Sequence, residues 1–279
     1  MASKWTMTQL RSCGHSFKNF PMALYAVDVT FQKTNAPVGS FAEKKRFFSK
    51  KHGQYGLKVE VSVLPNGYAI NVTSAAPGSI ADLTICEENE GFHLVMLAKR
   101  PDEESMHDNG RHQEQHPGSW ALLADKGYQG LQRRLRAITP TKKPPGGMLS
   151  SSELVQNDKI ASDRVIVEKV FGRLKTLWAI VSDTYMWKRE NYDMFFGTCV
   201  ALTNVHIQFM PLQQEDGDEY NRYLNRILEI GASMKARRSK LASTSREKRK
   251  MRLSTLIPSV ESFDEVYYDS GDNSGIFDE

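Results

Sequence analysis

Three carboxylates stand in apolar surroundings, where an acidic side chain is costly. Asp28 lies inside the apolar run 22–31, and Asp125 ends a second apolar run. Glu168 lies in 165–171, which has the periodicity of a helix. An unpaired carboxylate in such a place takes up a proton unless a cation compensates its charge. The three acids would supply the oxygen ligands that Mg²⁺ or Mn²⁺ prefers, as in two-metal phosphoryl chemistry.

The elements that must position these acids follow from the same patterns. The runs that hold Asp28 and Asp125 are apolar on both faces, which predicts buried central strands. The helix is predicted to begin at Asn157 or Ser162 and to end at Ile180. Its apolar stripe comprises Val167, Phe171, Leu174, Trp178 and Val181. At about 100° per residue, Arg164, Glu168 and Lys175 share one flank of that stripe, so Glu168 can face the sheet.

The first half of the chain predicts a sheet with a basic connection. A first strand is expected at about 24–31, followed by a basic loop at 43–52. Two β-rich runs, 57–63 and 68–73, flank a Pro-Asn-Gly turn and predict a hairpin.

A helix is predicted next, and it introduces a fourth acid. Ser79 is its expected N-cap and Asp82 lies in its first turn. Asp82 can be an additional metal ligand or simply a partner of the helix dipole. The order β, β-hairpin, α, β, α, α predicts an α/β sheet, and no glycine-rich nucleotide loop is present.

Two sets of metal-binding residue types carry weaker signals. Three histidines (His107, His112 and His116) fall in the polar region 99–118, for which an exposed flexible loop is favoured over a zinc site. Cys13, Cys86 and Cys199 form no CxxC pair, so neither a disulfide framework nor a zinc knuckle is indicated. A reducing compartment is expected.

Composition is that of an ordinary globular protein, with 279 residues, 40% hydrophobic and 25% charged. No apolar stretch approaches the roughly 20 residues that span a membrane, and the N-terminus lacks an apolar signal core, so no membrane partner is expected.

Charge is unevenly placed at the C-terminus. The segment 235–252 is strongly basic, and 253–279 contains no Lys or Arg. Such blocks are typical of solvated, disordered tails. The clusters Arg237-Arg238 and Lys248-Arg249-Lys250 also fit a bipartite nuclear-import signal or a nucleic-acid contact. We therefore expect a nuclear protein, with the cytoplasm and a merely solubilising tail left open.

Four segments resemble those of the DDE superfamily endonucleases, in the PIF/Harbinger and IS5-like transposase group and the proteins domesticated from it. They are Tyr25-Ala-Val-Asp28, Pro77-Gly-Ser-Ile-Ala-Asp82, Leu123-Ala-Asp125-Lys-Gly-Tyr128, and 162–175 around Arg164, Glu168 and Lys175. The segment 201–207 resembles the family's closing helix. One departure is Lys126, where the family often has a small residue.

The resemblance implies a ribonuclease-H-like fold, a mixed sheet flanked by helices. It divides the chain into a short N-terminal segment (1–21), a nuclease domain (22–210), an amphipathic helix (211–240) and a disordered basic then acidic tail (241–279). The family usually carries an N-terminal helical DNA-binding region, whereas about twenty residues precede the first strand here. Weak, poorly sequence-specific DNA binding is therefore expected, with a separate DNA-binding protein or a second copy of the chain as further partners.

The resemblance also assigns roles. Asp28, Asp125 and Glu168 would be the catalytic acids, and with Asp82 they would hold Mg²⁺ or Mn²⁺ for cleavage or strand transfer at a DNA phosphodiester. Basic residues predicted to hold DNA phosphates are Lys45, Arg46, Lys50, Lys51, Lys126, Arg164 and Lys175. Two alternatives stay open. One is a catalytically inactive domesticated transposase that acts as a DNA-associated or scaffold protein. The other is a host nuclease that cleaves the RNA strand of a hybrid.

Overall fold

The computed structural model describes residues 5–212, 233–234, 236–249 and 251–252. Residues 1–227 form one compact unit, and 228–279 form a second. Within the described residues, no helix is both long enough and apolar enough to cross a membrane.

A mixed sheet forms the centre of the first unit. Its strands are β1 (Ala23–Lys33), β2 (Phe48–Ser49), β3 (Gln54–Val63), β4 (Ala69–Val72), β5 (Ala76–Pro77), β6 (Ala121–Leu123) and β7 (Ala137–Ile138). The order is β2-β3-β1-β6-β7, and β4 and β5 also pair with β3. Strand β1 runs antiparallel to β3 and parallel to β6, and β6 runs parallel to β7. This arrangement confirms the expected ribonuclease-H-like fold and the predicted hairpin.

Helices cover both faces of this sheet. They are α1 (Met7–Ser12), α2 (Phe41–Phe47), α3 (Asp82–Glu88), α4 (Glu90–Leu97), α5 (Ser151–Leu177), α6 (Ala179–Ser182) and α7 (Tyr192–Phe209). Alternation along β1 divides the core, because Ala26 packs in a cluster with α5 and α7, whereas Tyr25 and Val27 pack in a cluster with α1, α3 and α4. Asp28 therefore lies in a strand that is covered on both faces.

Several helix boundaries differ from the predicted ones because capping was misjudged. Helix α5 begins at Ser151, earlier than predicted, since Ser150 and Glu153 form a capping box. A second capping box at Ser40 starts α2 just before the region 43–52 that is predicted as a basic loop, and the helix extends into that region as far as Phe47. Ser79 is not an N-cap. Helix α3 begins at Asp82, and no side chain caps it.

The end of α5 also differs from the prediction. The helix ends at Leu177, with Trp178 as its C-cap, so the predicted continuation to Ile180 is wrong. Of the predicted stripe, Val167, Leu174 and Val181 are buried, and Phe171 and Trp178 are partly buried.

The polar segment 99–118 is anchored to the core, although the sequence predicts a flexible loop. The Asp108 carboxylate, 2% exposed, forms ion pairs with Arg136 and Lys99. Burial raises the pKa of Asp108, but hydrogen bonds from Arg136, Lys99 and the Gly110 N–H outweigh this and leave the pKa well below its usual range. The indole of Trp120 donates to Glu103 at 2.9 Å. These long-range partners cannot be read from local sequence.

The described part of the second unit is helical. Residues 236–249 form a helix whose side chains are all exposed. It includes 241–249, where the sequence predicts the disordered tail to begin. Residues 236–249 contain two Ala, two Lys and four Arg, which favour helix. Most of the predicted amphipathic helix and the acidic segment 253–279 lie outside the described residues.

Candidate active site

The pairing of β1 with β6 brings two of the predicted acids together. In this parallel pair, Ala26 lies opposite Leu123. Asp28 and Asp125 each come two residues later, so they lie at the same level of neighbouring strands. Both are half-buried, and Asp125 follows directly on the buried end of the β6 run.

One guanidinium bridges these two carboxylates. Arg164 Nη2 lies 3.0 Å from Asp28 Oδ2, and Arg164 Nη1 lies 3.5 Å from Asp125 Oδ1. The arginine side chain is 8% exposed, against 26% and 44% for the two aspartates. The two acids therefore converge on a single cationic group delivered by α5.

The ionised form of Asp28 is disfavoured at this half-buried position, although Arg164 pairs with it. Burial raises the pKa of Asp28, and the negative charges of Asp125 and Asp82 raise it further. The Arg164 guanidinium and the Val29 N–H, which donates to Asp28 Oδ1 at 2.8 Å, act in the opposite direction. The pKa remains above its ordinary value, so the site has unmet demand for positive charge.

Asp82 belongs to the same region, but lysines already occupy its carboxylate. Lys58 Nζ lies 2.9 Å from Asp82 Oδ1, and Lys51 Nζ lies 3.9 Å from Oδ2. A Cβ added to Gly127 would come within 3.6 Å of Asp82 Oδ2, so Asp82 borders the turn that follows Asp125. The structure thus places Asp82 near the acid pair.

Glu168 is exposed on α5, one helical turn after Arg164. Residues at this spacing are neighbours on a helix surface, with Cβ atoms about 5–6 Å apart. Glu168 makes no hydrogen bond or ion pair to another of the residues that the structure describes. Its membership of the acid cluster remains a prediction.

The basic residues predicted to contact DNA fall into two groups. Five are exposed: Lys45 and Arg46 on α2, Lys50 and Lys51 after β2, and Lys126 directly after Asp125. Lys175 is half-buried, and burial lowers its pKa. Arg164 is placed differently from the expected phosphate contact, because it is buried and donates hydrogen bonds to the two aspartates.

Sequence reasoning missed two neighbours of Asp82. Lys58 is buried on β3 and donates to Asp82 and to the Ile80 carbonyl. His52 stacks on Phe31, and its pKa is lowered by burial and by Lys51, Lys58 and Lys175. The sequence held one signal for Lys58, which is a lysine at a polar position of a strand whose other residues face inward.

The chemistry of the acids fits a divalent metal. Asp28, Asp82 and Asp125 offer only carboxylate oxygens, which suit a hard cation such as Mg²⁺ or Mn²⁺. The acid pair already accepts one shared positive group, the Arg164 guanidinium. The electrostatic coupling of all three acids at Asp28 supports the same interpretation.

The raised pKa of Asp28 predicts a stability cost. The folded state favours the protonated form of Asp28. The cost to folding stability is therefore absent below the pKa of the unfolded chain, about 3.9, and grows as pH rises through the pKa of the folded chain. Asp28→Asn should therefore raise the Tm at neutral pH in chelator by about 2–4 °C, the effect of about 1 kcal/mol in a domain of this size. Thermal melts between pH 4 and 8 would measure this, with exposed Asp158→Asn as control. A variant that melts below the wild type at neutral pH would contradict the expectation.

Comparison with known proteins identifies the family of this chain. Residues 27–204 match the family described as DDE superfamily endonuclease. The chain is 27% identical over 185 residues to the probable transposase for insertion sequence element IS702 of Microchaete diplosiphon. That alignment covers 66% of this chain and 57% of the relative, so the chain spans little more than half of that protein. No solved structure gave a significant match.

The family match covers β1 to α7, the elements that carry all four acids. The mixed sheet flanked by helices agrees with that match. This chain therefore belongs to the DDE superfamily endonucleases.

Proposed function

We propose that this chain hydrolyses DNA phosphodiester bonds, or transfers a DNA strand, in a reaction that depends on Mg²⁺ or Mn²⁺. The observation that carries the proposal is the bridging of Asp28 and Asp125 by Arg164. Two carboxylates on adjacent strands are rarely brought to one cationic position for stability alone, since their mutual repulsion is costly. Family membership supplies the reaction class.

Four acids would hold the metal. Asp28 and Asp125 would be shared ligands, Glu168 would complete the set from α5, and Asp82 would lie at the side of the Lys126–Tyr128 turn. When bound, the metal would supply an activated water and stabilise the departing 3′ oxygen. Arg164 would keep the aspartates ionised before loading, and its guanidinium would then be available to a phosphate oxygen.

DNA would be held through its phosphates. Three exposed lysines would neutralise backbone charge: Lys51, which pairs with Asp82, its neighbour Lys50, and Lys126, which directly follows Asp125. Such contacts fix orientation without reading sequence. Sequence-selective action would then rest on a separate DNA-binding protein or on a second copy of the chain.

One observation favours the second candidate, a catalytically inactive DNA-associated or scaffold protein. Arg164 and Lys58 already pair with three of the four acids, so a cation contacts each of these three acids without a metal. An inactive descendant could keep these ion pairs for stability. Cleavage assays separate the two candidates.

The basic clusters support a nuclear location. Arg237, Arg238, Lys248 and Arg249 all lie on the exposed helical segment 236–249, where an import receptor could reach them. We propose import through this segment.

Metal-dependent nicking is the direct test of activity. The full chain should convert supercoiled plasmid to the open circular form with Mg²⁺ or Mn²⁺ and not in EDTA. Asp28→Ala, Asp125→Asn and Glu168→Gln should each reduce the rate by at least about 100-fold, because each removes a metal ligand.

Asp158→Asn, an exposed acid on α5, is the matched control and should keep the wild-type rate. A folded wild-type chain that binds DNA without nicking it would support the inactive scaffold. Faster cleavage of the RNA strand in an RNA–DNA hybrid would instead support the host-nuclease alternative.

DNA affinity should depend steeply on salt. Changing Lys50, Lys51 and Lys126 together to Ala should weaken binding on unrelated sequences alike. It should also reduce the slope of log K against log salt by about 0.9 for each phosphate that the variant no longer neutralises. Arg134→Ala is the control, since Arg134 pairs with Glu90 on α4. An unchanged slope in the triple variant would remove these lysines from the interface.

Nuclear import can be checked with a fluorescent fusion of the full chain in cultured eukaryotic cells. Changing Arg237, Arg238, Lys248, Arg249 and Lys250 together to Ala should shift the fluorescence from the nucleus to the cytoplasm. A fusion that stays nuclear after this change would show that the segment is not the import signal.

A further inference from the structure

A second cluster of metal-binding residue types is buried on the α3–α4 side of the sheet. Glu60 comes from β3, Cys86 from α3 and His93 from α4, and all three are 0% exposed. One ligand atom from each lies within 4.8 Å of the other two. None of them belongs to the acid site described above, and no role follows for them from that site.

The donor atoms are already spaced much as zinc ligands are. His93 Nε2 lies 3.1 Å from Glu60 Oε1 and 3.4 Å from Cys86 Sγ. With metal–ligand bonds of about 2.0–2.3 Å, tetrahedral geometry separates ligand atoms by roughly 3.3–3.8 Å. Small side-chain adjustments would therefore open a position between the three donors.

Neighbouring side chains are arranged to support such a site. The Tyr25 hydroxyl lies 2.8 Å from His93 Nδ1. A hydrogen bond at that nitrogen fixes the ring orientation and can leave the Nε2 lone pair free for a metal. Asn89 Nδ2 lies 3.1 Å from Glu60 Oε1, and rotation of this amide would present its oxygen as a fourth donor.

The charge of Glu60 requires a partner. Its Oε2 is buried and has no hydrogen-bond partner among the residues that the structure describes. A buried carboxylate with an unsatisfied oxygen is costly and rare. A dication bound by a carboxylate, a thiolate and a neutral imidazole would give a neutral buried group.

We propose that Glu60, Cys86 and His93 form a structural Zn²⁺ site. Mixed oxygen, sulfur and nitrogen ligands suit zinc, whereas the all-carboxylate site suits Mg²⁺ or Mn²⁺. The two sites would therefore select different metals within one domain.

The position of this cluster gives it a consequence for the acid site. Cys86 lies one helical turn after Asp82 on α3, and Glu60 lies two residues after Lys58 on the same face of β3. The Lys58–Asp82 ion pair and the Glu60–Cys86 pair are thus consecutive links between β3 and α3. Zinc would fasten α3 to the sheet and hold Asp82 beside Asp28.

Cobalt substitution of the purified full chain tests the proposal. The wild-type chain loaded with Co²⁺ should show a thiolate-to-cobalt charge-transfer band in the near ultraviolet. The acid site contains no sulfur and cannot produce this band. The chain has three cysteines, so a Cys13→Ser/Cys199→Ser double variant that keeps the band assigns it to Cys86. This assignment does not require a Cys86 variant to fold.

Zinc content gives the second measurement. Asp28→Asn/Asp125→Asn, with the acid site disabled, should still retain about one zinc per chain after dialysis against a weak chelator. Cys86→Ser should lose both the zinc and the cobalt band. Tyr25→Phe should weaken zinc affinity about 10-fold, the effect expected of a group that orients a metal-bound histidine.

Two results would overturn the proposal. One is a folded wild-type chain that retains no zinc or shows no thiolate–cobalt band. The other is a band that disappears in the Cys13→Ser/Cys199→Ser double variant or persists in Cys86→Ser. Either would assign Glu60, Cys86 and His93 to a metal-free polar network. Because none of these measurements uses DNA cleavage, they stand or fall separately from the proposed nuclease activity.

Discussion

The candidate site depends on the contact of one guanidinium with two carboxylates from parallel neighbouring strands. Pairing of β1 with β6 puts Asp28 and Asp125 at one level, and α5 delivers Arg164 between them. Strand register is therefore critical, because a slip of one residue would turn Asp125 to the opposite face of the sheet. Burial raises the pKa of Asp28, and the Asp125 and Asp82 carboxylates raise it further, so holding Asp28 ionised has a cost, as is common at functional sites.

The two faces of the sheet have different chemistry. On the face with α5 and α7, Arg164 of α5 pairs with the two acids. The cluster with α1, α3 and α4 contains the buried polar group of Glu60, Cys86 and His93. Helix α3 connects them, since Asp82 at its start faces the acid site and Cys86 lies one turn further. The position of Asp82 therefore depends on how firmly α3 is held.

Family membership narrows the chemistry without deciding activity. The match to DDE superfamily endonucleases covers the whole acid-bearing part of the chain, and the chain covers 57% of the IS702 transposase. The acids suit a metal, yet Arg164 and Lys58 form ion pairs with three of them. A nuclease and a scaffold would therefore differ in whether a metal ion displaces Arg164 and Lys58 from the acids. That outcome depends on the free energy of metal binding.

Sequence alone determined the central elements and the identity of the acids. Apolar runs and helical periodicity are local properties, so β1, β6, the hairpin and α5 were predictable. A carboxylate inside an apolar run can likewise be recognised from the sequence alone. Tertiary structure decided the partners. The bridging role of Arg164, the Lys58–Asp82 pair and the Asp108 anchor of segment 99–118 each join residues far apart in the chain. The same holds for Cys86 and His93. Their spacing in the sequence matches no recognised metal-binding motif, and only the packing of α3 and α4 against β3 brings them to Glu60. Local pattern sets which residues are buried, but only the packing of distant segments sets which charges meet.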